Sequence, residues 1–596
     1  MKVIKILAPL LTLLAGGAAV HASAQERVPA EWLTVAERTD FAETGDYEET
    51  LAYARRLDEA SPWIRLLSFG TSPQGRELML LVASKDEAFD PASARRAGKP
   101  LVLVQNAIHA GEIEGKDASL MLLRDIAVTR QREGLLDGVT LLVMPLFNVD
   151  GYGRFGPHTR INQNGPRESG WRATAQNLNL NRDYLKADAP EMRAWLSAFE
   201  AWRPHLLIDN HTTDGADHQY VVTYQIGTSL DVPPSIAAWS RDVFLPRLTR
   251  QVEAAGHPVG PYLELRDPID PAEGFQRFLD TGRYSSGYAP LRNVPGLLVE
   301  THMLKPYEPR VRSTYETMTA TLELLGRDGG ALLDAVRTAE AWSSEVGRTA
   351  EADSVPLGFE LSDSLGTLRY RGTEYRHELS EVSGAVRVIY GEEPIELEVP
   401  FARELVPGAR VRPPLGYAIP AQWEVLAERL RLHGVPVERL EAPVTGQFEV
   451  VRFDSVAWAP EPFEGRHLLT YRTNVSLETD TLPAGSYWVP LGNASARLAM
   501  QLLEPEGPDA LVRWGFLDAI FERKEYAEDY VMENVARAML AGDAELREQF
   551  QRRVAEDPEF RASPQQRLGF FYERTPFWDD REDRYPVLRV VRPLQR

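Results

Sequence analysis

His109 and Glu112 stand three residues apart, just beyond the apolar run Leu101-Val102-Leu103-Val104. If a helix opens there, that spacing turns an imidazole nitrogen and a carboxylate to one side. A third ligand from another strand end would complete a set of two histidines and one glutamate. Such a set suits catalytic zinc, because it leaves a fourth position for water. Alone, His-x-x-Glu is a frequent accident, and most instances are surface pairs at a helix start. Three more polar clusters follow apolar runs in the same way. They are Asn148-Val149-Asp150-Gly151 after residues 139–146, Asp209-Asn210-His211-Thr212 after 205–208, and Glu300-Thr301-His302 after 296–299. In α/β sheets, ligands bind at the carboxyl ends of strands, near a switch in strand order. The chain has no cysteine, which excludes disulfides, a thiol nucleophile and thiolate ligands. Any metal must use His, Asp or Glu.

A sheet is needed to bring these clusters together. Residues 64–68 and 77–83 read as strands around a turn-rich segment, Gly70 to Gly75. Helical periodicity covers 48–57, 116–129, 190–200 and 312–325. Unalternating apolar strands spaced by helices predict an α/β fold, a mixed central sheet with helices on both faces. From about residue 345 the pattern changes. Strands are predicted at 359–371, 385–390, 395–400, 448–453 and 467–471, with a helix at 420–433. Helices follow at 494–503, 527–540 and 544–554. This reads as a β-rich accessory region with a helical C-terminal tail and no recognisable site.

The first residues read differently. Lys2 and Lys5, an apolar run from Ile6 to Val20, and Ala22-Ser23-Ala24 predict a secretory signal peptide cleaved after Ala24. That run falls short of the roughly 20 residues a membrane span needs. The expected organisation is a signal peptide at 1–24, a catalytic domain at 25–344 and an accessory region at 345–596, secreted or periplasmic. The formal charge is −21, and losing Lys2 and Lys5 with the leader makes it −23. Such acidity argues against nucleic acid and membrane as partners.

The ordered set resembles the zinc carboxypeptidases of the carboxypeptidase A type, over about residues 45–325. The matching pieces are His109-Ala-Gly-Glu112, Asn148-Val-Asp150-Gly151, Trp171-Arg172, Asn179-Leu-Asn181-Arg182-Asp183-Tyr184, His211 and Val299-Glu300-Thr301. The resemblance implies one Zn²⁺ held by His109, Glu112 and His211, with the water at that ion made acidic. It implies Glu300 as general base and Arg172 as stabiliser of the tetrahedral oxyanion. Asn181 and Arg182 would grip the free C-terminal carboxylate of a peptide, a task that suits the planar guanidinium fork. Tyr288, with Tyr284 close behind, would close over substrate from a loop flanked by glycines. Asp209 and His302 are further candidates to line or support the site.

The sequence also departs from that family. Gly111 stands where the pancreatic-type enzymes have an arginine, Asn179 where they have an aspartate behind a ligand histidine, and Val149 where a proline is usual. The specificity segment holds Ser285, Ser286 and Gly287, with no charge, which points away from Lys or Arg at the substrate's C-terminus. Arg283 or Arg292 nearby would favour an acidic one. The function expected is C-terminal hydrolysis of peptides. One alternative is a zinc amidohydrolase acting on N-acyl amino acids or cell-wall peptides. The other is an inactive peptide-binding protein on the same scaffold.

Overall fold

The computed structural model describes residues 28–348 and 353–594. The predicted leader at 1–24 lies outside the described residues. Ten strands belong to the first half. They are β1 (Ile64–Thr71), β2 (Glu77–Ala83), β3 (Leu101–Asn106), β4 (Thr140–Met144), β5 (Leu206–Thr213), β6 (Val222–Gln225), β7 (Val259–Pro261), β8 (Glu264–Leu265), β9 (Phe275–Gln276) and β10 (Gly296–His302). Eight form one mixed sheet in the order β1-β2-β4-β3-β5-β10-β6-β7. Its centre is parallel: β3 pairs with β4 and β5, and β5 pairs with β10. β1 with β2, β2 with β4, and β10 with β6 run antiparallel. From β3 the chain moves to β4 on one side and later to β5 on the other. The order therefore reverses at β3, the place where an α/β sheet opens a crevice at its carboxyl edge.

The apolar strands are buried on both faces, so alternate residues feed two cores. Val102 and Val104 of β3 join the core beneath the helices Tyr47–Ala60, Glu114–Ala127 and Tyr307–Glu345. Leu101 and Leu103 join the other, which takes Met192, Trp195 and Phe199 from the helix Pro190–Trp202. The last helix runs well past the predicted 312–325. A kink at Asp328 precedes Gly329 and Gly330, but Leu332, Ala335, Val336 and Ala339 keep an apolar face inward beyond it.

The second core crosses the expected boundary at residue 344. Tyr417, Leu426, Val489, Leu498 and Leu511 pack in the same cluster as Leu80, Val82 and Trp195. The strands Gly366–Leu379 and Val386–Ala402 form a long hairpin, and Val386–Ala402 pairs with β9 of the first half. A six-stranded sheet takes in Gly416–Ile419, Tyr487–Pro490, Val444–Trp458 and Leu469–Leu482. After the helices Asp529–Gly542 to Pro564–Tyr572, the chain returns and inserts Leu588–Val590 into that sheet. No helix among the described residues is long and apolar enough to cross a membrane.

Candidate active site

The carboxyl ends of β3, β5 and β10 meet at one cleft. His211 and Glu300 lie within β5 and β10 rather than beyond them, and they are paired across the two parallel strands. His109 and Glu112 do not open a helix. They stand in a turn closed by the Glu112 N–H donating to His109 O at 2.9 Å, and the helix begins at Glu114. The turn still aims both side chains at one point, because the intervening backbone folds back within a single step. Glu114 turns below the site, fully buried, and takes hydrogen bonds from Thr212 Oγ1 at 2.5 Å and Thr301 Oγ1 at 3.0 Å. It thereby ties the ends of β5 and β10 to the helix start.

The ligand atoms offered by His109, Glu112 and His211 all lie within 4.8 Å of one another, and all three residues are buried. Glu112 Oε2 is 3.1 Å from His109 Nδ1 and 2.9 Å from His211 Nδ1. The outer ring nitrogens are committed elsewhere. His109 Nε2 donates to Asn179 Oδ1 at 3.0 Å, and His211 Nε2 donates to Asp209 Oδ2 at 2.8 Å. With the outer nitrogen engaged in this way, a neutral ring presents its Nδ1 lone pair inward, toward Glu112. The Nδ1 of each ring and a Glu112 oxygen thus converge on one point, a set of donors that one cation would bridge. The donor set fits Zn²⁺, with two imidazoles and one carboxylate.

The electrostatics treat the two imidazoles differently. Burial pushes His109 down to about 4, so it stays neutral. Burial also works to lower His211, but Asp209 and Glu300 outweigh it and hold the ring well above its ordinary value. Burial opposes charge on Glu112, yet His109 and Arg160 hold it well below the usual carboxylate range. Glu300 is shifted the other way. Burial raises it well above 4.5, His211 draws it back, and Glu112 and Asp209 add to the rise. A carboxyl group made more basic beside a cation site is suited to accept a proton.

The cavity in front of this set holds about 510 Å³ and is lined by Glu300, Arg172, Asn181 and Arg182 among others. Arg172 Nη1 donates to Glu112 Oε1 at 3.2 Å. Its main chain is held by Asn148, whose Nδ2 donates to Arg172 O at 3.1 Å, so the Asn-Val-Asp-Gly turn serves the arginine segment. Arg182 donates to Asn181 O at 2.8 Å and lies 4.3 Å over the Tyr284 ring, with no carboxylate paired to it among the described residues. Asn181 Oδ1 accepts from Ser285 N at 3.1 Å.

Several candidates sit elsewhere. Tyr288 is not brought to the cleft. It lies in the helix Ser285–Leu291, fully buried against Tyr184 and Trp195, and its hydroxyl meets His433 Nδ1 at 3.0 Å. Helical spacing explains the difference: four residues on from Tyr284, Tyr288 is one turn deeper into the core. Tyr284 lines the cavity instead. Arg283 is paired with Asp509 at 2.6 Å and Arg292 with Glu200, so neither faces the cleft. His302 is buried, donating to Ala216 O at 2.9 Å.

Sequence reasoning missed Arg160. Its Nη2 donates to Glu112 Oε1 at 2.8 Å. Gln163, with its amide turned to satisfy both sides, donates to Gly111 O at 2.9 Å and accepts from Arg160 at 3.0 and 3.1 Å. Gly111 was the available signal. A Cβ there would stand 2.4 Å from Arg160 Cγ and 2.7 Å from Gly170 O. The glycine is the space into which an arginine from a distant loop fits.

Residues 50–216 match the family model described as zinc carboxypeptidase. The match includes all three ligand candidates. Carboxypeptidase 2 of Trichophyton rubrum is 25% identical over 484 residues, covering 79% of this chain and 84% of the relative. Carboxypeptidase 2 of Trichophyton tonsurans is 26% identical over 492 residues, with the same coverage. Among solved structures, carboxypeptidase A from Helicoverpa armigera is 19% identical with a TM-score of 0.36, covering 50% of this chain and 75% of that one.

Proposed function

We propose that this chain, which carries a zinc carboxypeptidase domain, removes C-terminal residues from peptides after export and cleavage of its leader at Ala24. The observation that carries the reading is the meeting of His109, Glu112 and His211 within 4.8 Å, in a cavity shared with Glu300, Arg172 and Arg182. Zinc, when bound by those three ligands, polarises the scissile carbonyl and acidifies water. Each other role falls to a side chain. Arg182 and Asn181 hold the substrate's terminal carboxylate, which fixes the last peptide bond beside Glu300. A half-buried guanidinium with no carboxylate in direct ion-pair contact among the described residues is suited to a carboxylate supplied by the ligand.

Glu300 takes a proton from the attacking water. It then delivers that proton to the departing amine nitrogen, so the carboxylate is restored and the bond breaks to acid and amine. Arg172 leaves Glu112 Oε1 to Arg160 and donates to the oxygen that becomes negative in the tetrahedral state. Tyr284, stacked on Arg182, covers the carboxylate end. The relatives named carboxypeptidase support the same activity.

Metal analysis followed by chelation tests this. The purified chain is expected to hold about one zinc per molecule, lose hydrolysis of free-carboxyl peptides on chelation, and regain it with zinc. Full hydrolysis by the metal-stripped chain would overturn the reading.

A further inference from the structure

A side chain from residues 345–596 reaches the group behind a ligand histidine. Glu464 Oε2 accepts a hydrogen bond from the Asn179 backbone N–H at 2.8 Å. The Asn179 side chain is the one that orients His109, and the same Oδ1 also accepts from Asn181 N at 2.9 Å. A single asparagine thus sets a ligand imidazole and the start of the Asn181-Arg182 grip, and a carboxylate from the far half of the chain holds its backbone. Glu464 also bears on the Arg182 guanidinium, opposing the fall that burial causes in its pKa.

The backbone that presents Glu464 is unusual. Phe463 and Arg466 exchange both main-chain hydrogen bonds, at 2.8 and 3.1 Å, around a two-residue turn. Glu464 has φ +50° and Gly465 φ +77°. Both central residues are left-handed, the hairpin turn that Asn-Gly or Gly-Gly fills without strain. A glutamate at the first position is disfavoured, and strain held at a defined position marks function more often than chance. The turn is braced on every side. Arg466 meets Asp188 with two bonds of 2.7 and 2.9 Å, donates to Trp514 O at 3.1 Å and lies 3.9 Å over Phe516. Phe463 stacks on Trp514. At the tip, a Cβ on Gly465 would touch Leu178 Cδ2 at 3.4 Å, so the hairpin is seated on the residue before Asn179. The Trichophyton relatives align over 79% of this chain, more than residues 1–344 alone supply, so the likeness runs into this half as well.

We infer that Glu464 is a positioning residue of the active site, and that the second half of the chain is part of the catalytic unit because it carries this residue. The inference rests on the reading that His109 binds the metal and Arg182 grips the carboxylate. Two variants of the full-length zinc enzyme test it. Glu464→Gly suits the left-handed turn and removes the carboxylate. Glu464→Gln keeps an acceptor oxygen. Zinc dissociation is measured by chelator competition, KM and kcat on a free-carboxyl peptide, and Tm by calorimetry. Glu464→Gly is expected to weaken zinc roughly tenfold, the lower end for groups behind a ligand, and to raise KM, while Tm holds or rises. Glu464→Gln recovers most of the loss. Unchanged zinc affinity and KM in the glycine variant would overturn the inference, as would equal losses in both variants. If the wild-type chain itself fails to bind zinc, the reading of the site falls first and this one with it.

Discussion

At the scale of single residues, the cleft divides into groups whose removal has different signatures. His211→Ala deletes a proposed ligand and should abolish stoichiometric zinc binding, read by metal analysis. Glu300→Gln keeps the proposed ligand set and removes the proposed base. Its expected cost is roughly 10³ in kcat with zinc retained, within the range of general-base contributions. The raised Glu300 pKa sets the sign of the pH dependence. A base must be ionised, so kcat/KM should fall as pH drops through a value above the ordinary 4.5. In a residual-activity profile of Glu300→Gln that acid limb should be missing. Gly111→Ala sets a methyl group 2.4 Å from Arg160 Cγ. Overpacking of that kind costs about 1–3 kcal/mol, and expulsion of Arg160 should appear as a lowered Tm that Arg160→Ala, made in the same chain, partly relieves. The ligand candidates were legible in the sequence because each lies at or just beyond the carboxyl end of a buried strand. Arg160 and Glu464 were not, because neither lies in a periodic element and their partners stand 48 and 285 residues away.

At the scale of elements, the strands β3, β5 and β10 were readable for a plain reason. Parallel strands buried on both faces appear as unbroken apolar runs, and polar residues closing them have nowhere to go but the crevice. The turn at 109–112 was expected as a helix start, since three-residue spacing serves either geometry. Tyr288 shows the same limit: Tyr284 and Tyr288 sit in one glycine-flanked segment, and only the helix beginning at Ser285 separates a cleft residue from a core one. In the second half, the buried Glu504 links the strands Gly416–Ile419 and Leu588–Val590. Tyr417 Oη donates to it at 2.6 Å and Arg589 Nε at 3.2 Å. Burial pushes its carboxyl from 4.5 up to about 7. Below 4.5 the folded and unfolded chains both hold that proton. Between 4.5 and 7 the unfolded chain loses it first, so this group's stability contribution is lost as pH rises and levels off above 7. The Tm difference between wild type and Glu504→Gln should therefore widen in the variant's favour from pH 4.5 to 7. Parallel curves would contradict this.

At the scale of the whole molecule, the two halves share a core, a sheet pairing and a carboxylate at the site. A chain ending at residue 344 would lose Tyr417, Leu426, Leu498 and the other second-half members of the shared core and leave exposed the first-half side chains they pack with. Each such side chain loses about 1.5–3 kcal/mol of burial, which exceeds the 5–15 kcal/mol margin of a folded protein after a handful of residues. That chain should aggregate, or bind a hydrophobic dye with no cooperative melt. A change of pattern near residue 345 was visible in the sequence, but it marks a change of architecture and not a gap in the core. Packing across it depends on residues hundreds of positions apart.

In the proposed mechanism the cleft cuts the last peptide bond because it holds a terminal carboxylate. Matched peptides that differ only in a free or amidated C-terminus test it, with products followed by mass spectrometry on the zinc-loaded chain. The free acid should shorten by one residue at a time from its C-terminus while the amide stays intact, and Arg182→Ala should raise KM for the acid by about 10–100-fold, the worth of a charged hydrogen bond. Equal cleavage of acid and amide, or cuts at internal bonds, would contradict the account.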